Sequence, residues 1–570
     1  MDGSPRLPRT EAADRVANGS LNPAIRHEQA KVCEPTLRAP RVSAGSGRRF
    51  GARSTAGSHP RLLASIRQTW DGARASDHLP PSPFLAPNSQ APTICYCDKP
   101  PMSRLGSSGT PLRVAVIGSG PAGFYTVQHL FQTAGLAVEV DMYDRLPTPF
   151  GLVRMGVAPD HQKIKAVVGV YNKLAADPRF RFFGSVEYGT DLSIDDVQAH
   201  YHQIVFTTGA QSDRRLNIPG EDLEGSYPAT KFVAWYNGHP DYASFKFDLN
   251  HPAAVVIGVG NVAIDVARML CRTSEELSPT DIADHALEAL RLSGVKHVHL
   301  LGRRGAAQAA FSNPEISEVG KLADAAARTL PEELVLDEDS RAEAAADRTI
   351  AKKIEILQSY ASREPSQKSR QLTIRFLVSP VEILGDESGR VRAVKIVKNE
   401  LYRDEKGALR PKATGQFETI ECGLVLRSVG YKGVPLAGLP FLDDRGVVPN
   451  DNGRVVDPEG LQDTAGVYVS GWIKRGPTGL IGTNNADAKE TVASMLADLE
   501  RGRAGKPRDP GREDIDRLLK NRGVRYVSYE EWQDIDRLET ARGMPEGRPR
   551  VKFTKREEIF EALDILEPPD

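Results

Sequence analysis

Gly118, Gly120 and Gly123 stand at the spacing GxGxxG inside LRVAVIGSGPAGFYTVQHL, residues 112–130. Val114 to Ile117 is a short, mostly β-branched apolar run, the pattern of a strand buried on both faces, and helix-forming residues resume after Pro121. A strand, a tight glycine loop and a helix in that order let the backbone approach a pyrophosphate closely, with the N–H groups of the helix start turned toward the phosphates. The next apolar run, AVEVDMYD, ends in Asp144. An acidic side chain about 20 residues beyond such a loop accepts hydrogen bonds from an adenosine ribose; the alternative for Asp144 is a solvated strand end. A relative of the motif, AAVVIGVGNVAIDVARML, returns over residues 253–270 with Gly258, Gly260 and Ala263 in the three positions. Its following strand, VKHVHLLGRRG, puts Arg303 and Arg304 where the ribose-binding acid would stand. Guanidinium groups match a 2′-phosphate, so this unit reads as an NADP(H) site and the first as an FAD site. A solvated arginine pair is the bland alternative.

The elements that must hold these loops follow from the pattern around them. Between Ala263 and Arg303 the interval is long, and SEELSPTDIADHALEALRLSG adds a helix. GPTGLIGTNNADAKETV reads as a second glycine loop entering a helix. The N–H groups and positive dipole end of that helix are suited to negative charge developing on a reduced flavin ring. Residues Ala323 to Thr349 are rich in Ala, Asp, Glu and Arg and read as solvated helix and loop, whereas YVSYEEWQDID and REEIFEALDIL near the C-terminus carry periodic apolar positions and read as small packed helices.

With 570 residues, 40% of them hydrophobic, the chain suffices for several domains. A formal net charge of -1 hides an asymmetry, because residues 1–101 hold 14 Lys and Arg against 8 Asp and Glu. That leading stretch has no sustained period, is rich in Pro, Ser, Ala and Gly, and reads as disordered; it lacks an apolar signal region, and Met102 is a plausible start. No run of 18 apolar residues suggests a membrane span, and the overall charge gives no sign of nucleic-acid binding. The five cysteines, Cys33, Cys95, Cys97, Cys271 and Cys422, are scattered and contain no CxxC. This fits a reducing, cytoplasmic setting and removes both a redox dithiol and an internal iron–sulfur centre.

DRLPTPFGLVRMGVAPDHQKIK, WYNGHPDY, GRRG followed by QAAF, and GWIKRGPTGLIGTN occur in that order. Together they resemble the adrenodoxin-reductase type of ferredoxin–NADP reductase, particularly its actinobacterial members, from about Leu112 to the C-terminus. The resemblance implies an α/β flavoprotein of two three-layer, Rossmann-like domains, the NADP domain inserted in the FAD domain: 112–210 and 431–570 for FAD, 211–430 for NADP(H), after an extension of 111 residues. IVFTTGA and LVLRSVGY are then the strand crossings at the two junctions. By matching position, the resemblance implies FAD contacts at Gly118, Gly120, Ala122, Gly123, Asp144, Leu152, Val186, Trp472 and the Gly479, Leu480, Ile481 backbone; Trp472 as simple core is the alternative. It implies NADP(H) contacts at Val259, Gly260, Asn261 and Val262 for the pyrophosphate, Arg303 and Arg304 for the 2′-phosphate, and Glu315 and Gly479 for the nicotinamide. His161 and Glu318 match the family's His and Glu beside the nicotinamide, with the first turn of a helix as the structural alternative for His161. In PEISE the chain carries Ser317 where the family often has Arg.

The expected activity is NADPH:ferredoxin oxidoreduction, in which a hydride enters the flavin and single electrons leave to an iron–sulfur ferredoxin. A basic face would attract that acidic carrier, and Lys352, Lys353, Arg363, Lys368 and Arg370 are candidates. No metal of its own is expected, and a monomer is. The competing readings are a flavin monooxygenase, a glutamate-synthase-like electron-input subunit, and a nucleotide-binding regulatory protein that holds FAD without turnover.

Overall fold

The computed structural model describes residues 105–364, 366–460 and 464–566. The leading segment, with its proposed start and three of the cysteines, lies outside the described residues.

Alternation sets the first layer. In the strand Leu112–Ile117 every residue is buried, Leu112, Val114 and Val116 on one face and Ala115 and Ile117 on the other, each face meeting its own apolar cluster. It is the middle of five parallel strands within a seven-stranded sheet in the order Asn450–Asp451, Arg454–Val455, Val467–Val469, Gln203–Phe206, Leu112–Ile117, Val138–Asp144, Phe180–Gly184. From Val467–Val469 to Phe180–Gly184 the neighbours are parallel. The strand order reverses beside Leu112–Ile117, and in open parallel sheets the crevice beyond the strand ends at that point is where ligands bind. A six-stranded parallel sheet repeats the arrangement in the order Ser226–Pro228, Leu424–Arg427, Ala253–Ile257, His297–Leu301, Arg370–Arg375, Ala325–Thr329. We call these the first and second lobes. The two chain segments that run between them lie side by side, Ser212–Asp213 pairing antiparallel with Tyr431–Lys432.

A three-stranded antiparallel sheet, Val378–Gly385, Val391–Arg403 and Leu409–Glu421, extends the second lobe. The C-terminal helices Tyr529–Gly543 and Arg556–Leu566 bury Trp532, Ile535, Ile559 and Leu563 in the first-lobe core, as their spacing implies.

Two local expectations change. Ala325–Thr329 is a strand and not solvated loop, because Ala325, Ala327 and Thr329 point inward at period two; alanine, a weak strand former, hid the alternation. The single helix expected after Ala263 is two, Ser274–Leu277 and Asp284–Arg291, separated around Pro279, whose missing N–H and fixed φ interrupt the helix. Among the described residues no helix is long and apolar enough to cross a membrane.

Candidate functional site

Each lobe presents its glycine loop at the end of the central strand. Gly118 has φ +108°, and a Cβ there would sit 2.8 Å from the Thr207 carbonyl oxygen; one on Gly123 would meet the Gly118 carbonyl at 2.5 Å. The outer two glycines are thus required by backbone packing. Gly120 differs: a Cβ there meets nothing within 4 Å, so its open side is the face left for a ligand. Other elements are drawn onto the same loop. Phe150 N donates to the Ser119 carbonyl, a Cβ on Gly151 would strike Gly120, and one on Gly471 would strike Ala122. Leu152, 41% exposed, and Trp472, half-buried, therefore stand at one rim of the loop. Trp472 is not simple core: it stacks on Tyr431 at 5.4 Å between ring centroids and donates from Nε1 to the Thr478 carbonyl. Asp144 Oδ2 accepts from Ser119 N and Oγ at 2.9 and 2.5 Å and Oδ1 from Leu146 N at 3.0 Å. It braces the loop while keeping acceptor capacity, since each carboxylate oxygen has two lone pairs. The Val186 side chain is buried in the core and its N–H is given to the Asp144 carbonyl, which leaves only its backbone oxygen for an outside contact.

Gly479, Leu480 and Ile481 precede the helix Thr483–Glu500. Leu480 N donates to Thr483 Oγ1, whereas the N–H groups of Ile481 and Gly482 find no acceptor among the described residues. Leu480 itself is 65% exposed.

The second loop has the same logic. Gly258, at φ +129°, lies against the Ser428 carbonyl, Ala263 is buried, and Gly260 is open. Ala310 N and Phe311 N close onto the Val259 carbonyl and Ser312 N onto Asn261 Oδ1 at 2.8 Å, so the QAAF segment is latched to the loop that ends at Val262. Arg303 is exposed and Arg304 half-buried. Burial lowers the Arg304 pKa, and repulsion from Arg303 and from Arg410 lowers it further, against the Glu343 carboxylate. Arg410, on the strand Leu409–Glu421, is near enough to repel Arg304 but is itself paired with Asp404 at 2.8 Å.

Between the lobes the chain assembles a charged cluster. His161, at the start of Gln162–Lys165 in the first lobe, faces the helix Asn313–Val319 of the second, where Glu315 and Glu318 share a face one turn apart. His161 Nε2 lies 2.9 Å from Glu318 Oε2 and 3.8 Å from Glu315 Oε2, and its Nδ1 lies 3.9 Å from Asp265 Oδ1. Arg268, fully buried, pairs with Asp160 and Asp265 and approaches His161 Nε2 at 2.8 Å. A guanidinium N–H only donates and Nε2 is a single site, so His161 Nε2 either accepts from Arg268 or donates to Glu318, and the two contacts compete for it.

Burial pushes the Glu315 carboxyl up to about 7, Asp265 adding to it and His161 and Arg268 opposing; its Oε2 is buried with no partner in the described chain. Burial also raises Asp265, only partly offset by Arg268 and His161. Asp160 goes the other way: burial would raise it, but Arg268 and Arg272 together hold it below the usual range. Two histidine–carboxylate groupings here have ligand spacing for a cation. The Arg268 guanidinium stands among them, paired with Asp160 and Asp265. Asp265 and Arg268 were not singled out from sequence, although two charges inside the apolar run VAIDVARML were the available signal.

The five cations considered for a docking face are mostly engaged. Lys353 is buried against the Ala309 carbonyl, Lys368 binds the Leu322 carbonyl, Arg370 the Arg272 carbonyl, and Lys352 pairs with Glu355. Arg363 packs over the Tyr360 ring. Cys271 and Cys422 are buried, which pushes both thiols up to about 12.

Residues 112–319 match the pyridine nucleotide-disulphide oxidoreductase family. The NADPH-ferredoxin reductase FprA of Mycobacterium tuberculosis is 44% identical over 461 residues, 79% of this chain and 98% of that one. The chain belongs to the adrenodoxin-reductase type of NADPH–ferredoxin reductases. The mitochondrial NADPH:adrenodoxin oxidoreductase of Arabidopsis thaliana is 41% identical over 466 residues, 80% of this chain and 96% of that one. The solved structure of M. tuberculosis FprA in complex with NADPH superposes with a TM-score of 0.74, covering 80% of this chain and 99% of that one. Despite the name of the broader family, this member of the reductase group has no CxxC pair for disulphide chemistry.

Proposed function

We propose that this reductase holds FAD in the first lobe and NADP(H) in the second, and delivers electrons from NADPH to an iron–sulfur ferredoxin. One observation carries the reading: each lobe has a glycine cradle with its middle glycine open, and His161 of the first lobe meets Glu315 and Glu318 of the second.

The residues fit the groups. Gly120 leaves the space a pyrophosphate needs, Asp144 retains lone pairs for a ribose, and the N–H groups of Ile481 and Gly482 are available to an electron-rich ring. In the second lobe Gly260 is open, and Arg303 and Arg304 supply the charge a 2′-phosphate would neutralise. The FAD-binding part would then comprise residues 112–210 and 431–570, and the NADP-binding part 211–430. Bound FAD supplies the conversion between a two-electron hydride donor and one-electron acceptors. The chain supplies position and charge. Glu315 and Glu318 would offer acceptors to the nicotinamide end, the His161–Glu318 hydrogen bond joins the two lobes there, and Arg268 fixes both lobes to that point. We take the reductase to act as a cytoplasmic monomer with a separate ferredoxin partner.

The test is NADPH-driven reduction of cytochrome c with and without added ferredoxin, alongside a variant in which Arg303 and Arg304 are both alanine. Acceleration by ferredoxin is expected. The double variant should raise KM for NADPH by roughly tenfold or more and leave KM for NADH nearly unchanged, a loss of about 1.4 kcal/mol or more of phosphate recognition. Indifference to every ferredoxin, or an unchanged coenzyme preference, would count against the assignment.

A further inference from the structure

The mechanism leaves unused a second buried charged cluster, beside the His161 segment. Its members come from three parts of the chain. Lys165, one turn beyond His161, donates to both oxygens of Asp281 at 2.7 and 2.8 Å, and Gln162 Nε2 reaches the same carboxylate at 3.1 Å. Asp281 belongs to the second lobe, in the loop before Asp284–Arg291. The third part is the C-terminal segment. Lys552, whose side chain is fully buried, reaches Asp281 Oδ2 at 3.2 Å, the Asn237 carbonyl of the second lobe at 3.2 Å and the Arg154 carbonyl of the first at 3.4 Å. Arg548 ties the same segment to the second lobe through the Thr280 and Ile282 carbonyls and Asp284. Glu539, also fully buried, ties it to the first lobe through a two-point pair with Arg154 at 2.9 and 2.5 Å.

Arg154, Lys165 and Gln162 all lie on the segment that carries Asp160 and His161. A buried amine that spends its donors on both lobes gains nothing for either alone. We propose that residues 543–554 form a strap that fixes the second lobe against the His161 segment, making Lys552 and Asp281 positioning residues for hydride transfer. This deepens the reading of the interlobe cluster as the hydride-transfer site and rests on it for the kinetic part alone.

Lys552→Met tests it in the full chain, because Asp281 keeps Lys165 and no buried charge is left unpaired. In the flavin-loaded enzyme, stopped-flow reduction by NADPH should slow roughly tenfold while the Kd for NADPH stays within about twofold, since misplacement of the reacting groups affects rate before binding. In the ligand-free protein, amide hydrogen exchange over residues 158–166 and 280–286 should quicken about tenfold, with Leu112–Ile117 unchanged. Unchanged exchange in both segments overturns the strap; faster exchange with an unaltered reduction rate overturns the positioning role. Absence of any reduction by NADPH in the unmutated enzyme would sink the functional reading and leave the exchange result to judge the strap. Should the variant not fold, exchange on the unmutated chain decides: residues 548–554 and 158–166 are expected to open as one cooperative unit, and independent opening overturns the proposal.

Discussion

Two carboxylates one turn apart on the same helix behave differently because their surroundings differ. Glu318 is partly exposed and bonded to His161, while Glu315 is buried with one oxygen unpartnered. With its carboxyl pushed up to about 7, Glu315 is mostly neutral below that pH in the free protein. The oxidised nicotinamide ring is positive and the reduced ring is not, so a carboxylate beside it favours NADP+. NADP+ should therefore bind roughly tenfold more tightly at pH 8 than at pH 6, with proton release, while NADPH binding stays flat. Calorimetry in two buffers of different ionisation enthalpy reads the proton directly. Glu315→Gln should remove both the pH dependence and the released proton; a slope that persists in this variant would assign it elsewhere. Residues of this kind were legible only where a motif fixed them. Arg303 and Arg304 follow from the strand after the second glycine loop. The candidate docking cations could not be sorted from sequence, because a charge in a polar run does not reveal the backbone carbonyl on which it ends, as Lys353 and Lys368 show.

At the scale of elements the glycine loops were the most readable part of the chain, since strand, turn and helix each have a period of their own. The structure adds what the spacing could not say, namely which glycine serves the fold and which the ligand. Gly120→Ala places a methyl in open space at a helix N-cap with φ -77°, so it should cost about 1 kcal/mol or less. It should nevertheless purify with little or no flavin, because the methyl occupies the side left for the pyrophosphate. Gly258→Ala should do the opposite. At φ +129° and against a carbonyl it should cost ~2 kcal/mol or more. Absorbance at 450 nm set beside a thermal melt separates the two effects, and full flavin content in Gly120→Ala would refute the cradle. The strand Ala325–Thr329 escaped notice for a related reason: its period is correct, but alanine carries it at a sheet edge, where neither size nor β-branching marks the buried face.

For the whole molecule, the two sheets were legible from the repeated motif, but the ties between lobes were not. Lys552, Arg548 and Glu539 sit in a highly charged tail, and only the packing shows that their charges are buried. Burial pushes the Lys552 amine down to about 7, with Lys165 and Arg154 adding to the effect against Asp281 and Glu539. An unfolded lysine titrates near 10.4. Between these values the unfolded chain binds the proton and the folded chain does not. Stability from this group is therefore complete above about pH 10 and is lost as pH falls toward 7, with a slope of at most ~1.4 kcal/mol per pH unit. Lys552→Met lacks this dependence. Thermal melts of the two proteins at matched pH values should diverge steadily from pH 7 to pH 10, the unmutated chain gaining on the variant, and should run parallel below pH 6. The histidines and surface carboxylates remote from Lys552 cancel in the difference. Curves that stay parallel across the whole range would mean that Lys552 keeps an ordinary ammonium in the fold, with water reaching it and no buried tie between the lobes at that point.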